Sequence, residues 1–397
     1  VAVTPKPSII DPPTSFIQEI CSGTPFSFTP SASIPGTTYN WTATVIGTLT
    51  GVTSSGSGAT ITDNPVNPTN SNGVIIYTIT PTNGGCDGVP VNLVVTVRPV
   101  TTASAVNQTI CSGESTSIAI TNPNSVAGTT YSWTAVGTNV SGASAGSGST
   151  ISQLLVNTHG SINGTVVYTI TPSANGCPGP AFIVTATVKP IPVMTNLAPT
   201  LSQQICSAET LGFFPTSTIG GATYSWVSSI SGPINPATVT AMGAGQITDA
   251  PVNTGNVSGT VTYRITPTFN GCNGLPIDLV VTVKPLPSAT AGNLTICSGQ
   301  AATINITSAP KNVAGTTFSW AAVATPNVTG WASGNGSIIN QVLTTTNSSI
   351  GTVTYTITPT ANSCNGPTTV VTVTVNPVAT ANAGPNSSIC EPVTIPL

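Results

Sequence analysis

A single signature recurs four times along this chain: a cysteine in an ICSG-like segment, an aromatic-x-Trp segment, a YTITP-like strand and a second cysteine in an NGCxG-like turn. The first cysteines are Cys21, Cys111, Cys206 and Cys297, spaced 90, 95 and 91 residues apart, and Cys390 opens a fifth unit 93 residues further on. The second cysteines, Cys86, Cys177, Cys272 and Cys364, follow them by 65, 66, 66 and 67 residues. Each lies nine residues after a tyrosine: Tyr77, Tyr168, Tyr263 or Tyr355. A long period held this closely means one supersecondary unit repeated in tandem rather than a single large core.

Every unit closes on an alternating strand and a proline: VTVRP at Pro99, ATVKP at Pro190, VTVKP at Pro285 and VTVNP at Pro377. Proline lacks the N–H donor and fixes its own φ, so it stops a ladder there. The expected modules are therefore 1–99, 100–190, 191–285 and 286–377, with 378–397 the start of a fifth, cut short. Two subtypes alternate. Modules one and three share ITDNPVN and ITDAPVN, while modules two and four share SVAGTTYSW and NVAGTTFSW, so a block of two modules is the expected unit of duplication.

Runs such as TVTYTIT and TTVVTVTV alternate polar and apolar residues with the period of a half-buried strand, and helical periodicity is absent. Of the 397 residues only 4% are charged, whereas 39% are hydrophobic, which separates the chain from disordered sequences. About seven short strands per unit, punctuated by Gly-rich turns, predict an all-β fold: tandem immunoglobulin-like sandwiches in an extended array. The formal charge of −3 offers no field for nucleic acid or anionic membranes. No apolar run is long enough to span a bilayer as a helix.

Isolated cysteines at long, regular spacing, with one histidine in the chain, fit disulfides better than zinc. The expected pairs lie within modules: Cys21 with Cys86, Cys111 with Cys177, Cys206 with Cys272 and Cys297 with Cys364, each clamping one pole of a sandwich. They imply an oxidising compartment. Trp41, Trp133, Trp226 and Trp320 each follow Tyr39, Tyr131, Tyr224 or Phe318 by two residues, so both rings share a strand face and are expected in the core.

The motifs ICSG, GTTYSW, GTVTYTITP and NGCNG, followed by TVTV and Pro, resemble the PKD-like, immunoglobulin-like repeats of giant surface proteins of Bacteroidetes-type bacteria. The resemblance implies an exported, cell-surface array of the gliding-adhesin kind, delivered by the type IX secretion route. The WDFGDG-like stretch of PKD domains proper is replaced here by WTATVIG or WTAVGTN, without acidic residues.

No residue set marks a catalytic centre, and no cofactor or metal is expected. His159 stands in a polar loop of one module only and is expected to be solvated. Asp63 and Asp249 recur at one position, with Gln153 and Gln341 as counterparts; a loop hydrogen bond is the expected use, and calcium would need more carboxylates. Trp331, in NVTGWASGNG, is the one tryptophan outside the pattern and the candidate glycan contact. The leading expectation is a non-enzymatic stalk or filament-forming region of a large extracellular adhesin, partnered by copies of itself or other surface proteins. The alternatives are a glycan- or partner-binding array, with extracellular polysaccharide as ligand, and an accessory region of a secreted hydrolase.

Overall fold

The computed structural model describes residues 4–379, 381 and 384; Cys390, with most of the expected fifth unit, lies outside them. The chain divides into two compact units, Val1–Ile191 with Asn270–Cys272 and Pro192–Phe269 with Asn273–Leu397.

Module one serves as the template for each. Its strands are β1 (Ile17–Cys21), β2 (Phe26–Phe28), β3 (Thr38–Ile46), β4 (Ser55–Gly58), β5 (Ile61–Asp63), β6 (Gly73–Asn83), β7 (Cys86–Asp87) and β8 (Val91–Arg98). The main sheet runs β1-β8-β6-β3-β4, with β1 parallel to β8 and the other pairs antiparallel. β2 pairs with β5 in the facing layer. The same order of five returns as 108–111, 182–189, 164–174, 130–138 and 146–147, as 202–206, 277–284, 259–269, 223–231 and 242–244, and as 294–297, 369–376, 351–361, 317–324 and 334–335. This is a tandem array of immunoglobulin-like β-sandwiches.

The alternation in β6 and β8 produces the core directly. Ile75, Tyr77, Ile79, Leu93, Val95 and Val97 face inward and are fully buried, while their neighbours in sequence face out. The four tyrosines, at 0% exposure, are the largest fully buried side chains. Each stands opposite a small residue across the ladder, Ala43, Ala135, Ser228 or Ala322, which leaves room for the ring. Trp133, Trp226 and Trp320 are buried and Trp41 half-buried, toward the edge strand. There each indole lies under a glycine, Gly56, Gly146, Gly243 or Gly334; a Cβ on Gly243 would come within 2.4 Å of the Trp226 ring.

The disulfides correct the sequence reading. Cys21 bonds Cys177, Cys111 bonds Cys272 and Cys206 bonds Cys364, each joining the first cysteine of one module to the second cysteine of the next, while Cys86 and Cys297 are unpaired. The reason is the antiparallel run of β6 against β8. Cys21 lies opposite Arg98, at the end of β8, whereas Cys86 follows the end of β6 that passes Val91, at the start of β8. Eight residues of strand put those poles more than about 20 Å apart. A disulfide needs Cα atoms within about 7 Å; across modules they are 5.5 to 5.7 Å apart.

Candidate functional site

The chemistry of this chain is concentrated at the joint between one module and the next. In the first unit, the end of β8 delivers Arg98 beside the Asn175–Cys177 turn of module two. There its Nη1 donates to the Asn175 carbonyl at 2.7 Å, while its Nη2 bonds the Glu19 carboxylate of β1. The Cys21–Cys177 bond closes the same joint. Lys189 repeats the contact within that unit, donating to the Asn270 carbonyl at 2.9 Å beside the Cys111–Cys272 bond. In the second unit, Cys206–Cys364 forms the bridge, and the Lys311 ammonium of module four donates to the Asn253 carbonyl of module three at 3.1 Å.

The joint also explains the final glycine of the NGCxG turn. The linker entering each module lays a carbonyl oxygen against that glycine: Pro7 on Gly88, Thr101 on Gly179, Pro192 on Gly274 and Pro287 on Gly366, where a Cβ would sit at 1.8 to 1.9 Å from oxygen. Any larger residue would push the linker off the turn that carries the cysteine.

Behind the joint, a buried asparagine fastens the loop before β6 to the last strand. Asn253 is fully buried; its Nδ2 donates to the carbonyls of Val257 and Val283, both at 2.8 Å, and its Oδ1 accepts from Gly255 N at 2.9 Å. Asn67 and Asn157 make the same bonds to Val97 and Val188. His159 lies in this loop. Its backbone N–H donates to Asn157 Oδ1 at 2.9 Å, and its exposed ring meets the Ser161 hydroxyl at 3.2 Å.

Asp63 and Asp249 are held by internal bonds. The Tyr77 hydroxyl donates to Asp63 and the Tyr263 hydroxyl to Asp249, the latter at 2.7 Å. Thr53 and Thr240 donate to the same carboxylates through their hydroxyls and backbone N–H groups. In modules two and four the acceptor is the amide oxygen of Gln153 or Gln341, which takes the Tyr168 or Tyr355 hydroxyl at 2.8 or 2.7 Å. The glutamine Nε2 then donates to the carbonyl of Ser144 or Ala332, a bond aspartate cannot make. The two subtypes are thus two solutions for satisfying one buried hydroxyl. Among the described residues no cluster of three or more His, Cys, Asp or Glu side chains is placed to hold a metal ion.

Burial pushes the Tyr355 hydroxyl up to about 12, and burial together with the facing carboxylate raises Tyr77 and Tyr263 further. A raised value means the folded state holds its proton more tightly than the unfolded chain. The stabilisation is complete below the ordinary tyrosine value near 10 and is lost as pH rises through about 12. With free thiols alkylated, the melting temperature of module four should fall between pH 10 and 12. Tyr355→Phe should start lower but lose less over that window, as followed by thermal melts monitored at module four.

Trp331 is 40% exposed, and its indole N–H donates to the Val328 carbonyl at 3.1 Å. The joint itself was missed in the sequence, although its parts were visible: the cysteine register, the glycine two residues after each second cysteine, and Arg98, Lys189 and Lys284 immediately before the joint prolines.

No curated protein matches the chain. Among solved structures, it is similar to the N-terminal four Ig domains of Dscam1 isoform 7.44 (14% identity, 94% of this chain and 99% of that one, TM-score 0.23). Sidekick-1 immunoglobulin domains 1–4 match at 11% identity over 94% of this chain and 99% of that one, with TM-score 0.24. The titin I-band fragment I67–I69 matches at 11% over 70% and 98%, with TM-score 0.32. The model of the PKD-like domain matches residues 18–101, 108–192, 203–287 and 294–379, and the chain belongs to that family four times over.

Proposed function

We propose that the chain is a structural, non-catalytic region of a large extracellular cell-surface adhesin, a stalk or filament-forming array. The observation that carries this reading is the staggered set of bridges, in which modules two and three each bond both neighbours through sulfur. Such bonds add nothing to a catalytic site. They resist the separation of modules under load and withstand proteolysis, as a tether outside the cell must. They also persist only where the surroundings are oxidising. The finer placement, among type IX-exported gliding-type adhesins of Bacteroidetes-type bacteria, is supported by the motif set quoted above. Its partners are other surface proteins or copies of itself.

A second reading, a glycan- or partner-binding array, is favoured by the exposed ring of Trp331. It would be supported if Trp331→Ala abolished retention on extracellular polysaccharide. In producing cells, a membrane-impermeant maleimide should label Cys177, Cys272 and Cys364 only after treatment with an impermeant phosphine. Labelling of these residues only after lysis, without any reductant, would place the chain in a reducing interior and remove the surface reading.

A further inference from the structure

In modules two and four the edge strand of the main sheet leaves it after a single short pairing and crosses to the facing layer. Gly334–Asn335 pairs with Trp320 and Ser319, whereas Ile338–Val342 already pairs with Ala301–Asn305 in the other sheet. Gly146–Ser147 and Thr150–Ile151 repeat that switch against Trp133 and Ser132 and then Ile118–Ala119. The turn is made at Gly336 (φ 123°) and Gly148 (φ 130°), in a backbone region that residues with a side chain rarely adopt. Each glycine N–H donates to a carbonyl of the neighbouring strand, Phe318 at 2.9 Å and Tyr131 at 3.1 Å. The departing strand leaves its neighbour's flank uncovered, and a groove opens there. Its volume is about 580 Å³ in module four and about 340 Å³ at the same place in module two, both within the roughly 300–1,000 Å³ of small-ligand sites.

The groove walls offer hydroxyl and amide groups and no charge. In module four Thr317, Ser319, Asn335 and Ser337 are exposed beside the half-buried Thr360. Among the described residues no protein group bonds the Ser319 or Ser337 hydroxyl or the Asn335 carboxamide. Module two repeats the set with Thr130, Ser147 and Ser149. Hydroxyls and carboxamides both donate and accept, so they match the hydroxyls of a sugar without an ionised partner. Between 286 and 377 the one charged residue is Lys311, whose ammonium is taken by the Asn253 carbonyl, so an anionic ligand finds no counter-charge in module four. Module three differs. Its groove along the same strand pair is lined by the exposed Val227 and Met242 and by Arg264, which faces Asp278 at 3.6 Å.

We propose that the grooves of modules two and four bind a neutral polysaccharide, each taking a short run of its hydroxyl-bearing rings. This rests on the glycan-binding reading and assigns the contact to one module subtype, independently of Trp331. An open polar groove binds weakly by itself, because each hydrogen bond to the sugar replaces one to water. A polymer engages both grooves of one chain, and the second contact then forms at the effective concentration set by the first, which strengthens retention by about a hundredfold or more. Alternation of the subtypes gives each two-module block one such groove, so duplication of the block adds a binding site along with length.

The test is native affinity electrophoresis of the full chain, disulfides intact, in gels containing hydroxyethylcellulose, galactomannan or dextran, with alginate as the acidic comparison and a polymer-free gel as the reference. At least one neutral polymer should retard the parent, and alginate should not. Asn335→Glu in module four and Ser147→Glu in module two each place a carboxylate in a groove at an exposed position, so each should melt within about 2 °C of the parent. Each single variant should weaken retardation about tenfold or more, and the double variant should lose it. Retardation that survives the double variant, or that is equal in alginate, would overturn the proposal. If the double variant is still retarded and Trp331→Ala is not, the contact belongs to Trp331 and the glycan-binding reading stands without the grooves. A parent that none of the neutral polymers retards removes both.

Discussion

Pulled from its two ends with its disulfides intact, the chain should let Cys21 and Cys364 move no more than about 100 Å apart, against about 1,200 Å once reduced. The limit follows from the order of the bonds. Cys21 is bonded to Cys177 and Cys206 to Cys364, so the shortest covalent path between the outer pair contains only residues 177–206. That stretch, at about 3.5 Å per residue, reaches on the order of 100 Å. Bridges confined to single modules would leave every joint and part of every module free to extend. Force spectroscopy should record four unfolding steps of about 300 Å each in reductant, one per module of roughly 90 residues, and none of that size without it. Full module steps from the oxidised protein would rule out the staggered pairing.

The second large effect is expected at Asn253. Its carboxamide donates to the Val257 and Val283 carbonyls and accepts from Gly255 N–H, and its own carbonyl receives the Lys311 ammonium from module four. Asn253→Asp keeps the shape but turns both donors into an acceptor facing two carbonyl oxygens in a fully buried site. Losing those bonds and leaving the carbonyls unsatisfied should cost about 3 kcal/mol or more, as either a buried charge or a protonated acid that donates only once. For a module of this size that lowers the melting temperature by more than about 10 °C. Asn253→Ala should fall between the two, because it removes the bonds without adding a repulsive oxygen. A calorimetric scan that leaves Asn253→Asp within about 2 °C of the parent would mean that the loop is not held this way.

The buried tyrosines and the half-buried Trp41 show where sequence patterning reaches its limit. Trp41 and Tyr39 share a face of β3, as a spacing of two requires, but Tyr77 rather than Trp41 occupies the centre of the module. Ring size alone favours the indole as the deepest residue. The deciding factor is position across the sheet: Tyr77 stands on β6, which has a neighbour on both sides, and Trp41 turns toward the edge strand β4. The Asp or Gln nine or ten residues after its loop partner carried the signal of the tyrosine clasp, as at Thr53 and Asp63, ten apart, or Thr240 and Asp249, nine apart. Its partner could not be read, because the hydroxyl it serves arrives from another strand.

The sequence by itself determined the repeated unit, its all-β character, the alternation of two subtypes and the register of every cysteine, because periodicity and turn chemistry act locally along the chain. Which cysteines bond was decided only by the tertiary structure. A spacing of 65 to 67 residues is the same whether the two sulfurs share a pole or stand at opposite ends of a sandwich. The antiparallel run of β6 against β8 separates them within a module, and the linker laid on the next module's glycine turn brings each to a sulfur of its neighbour.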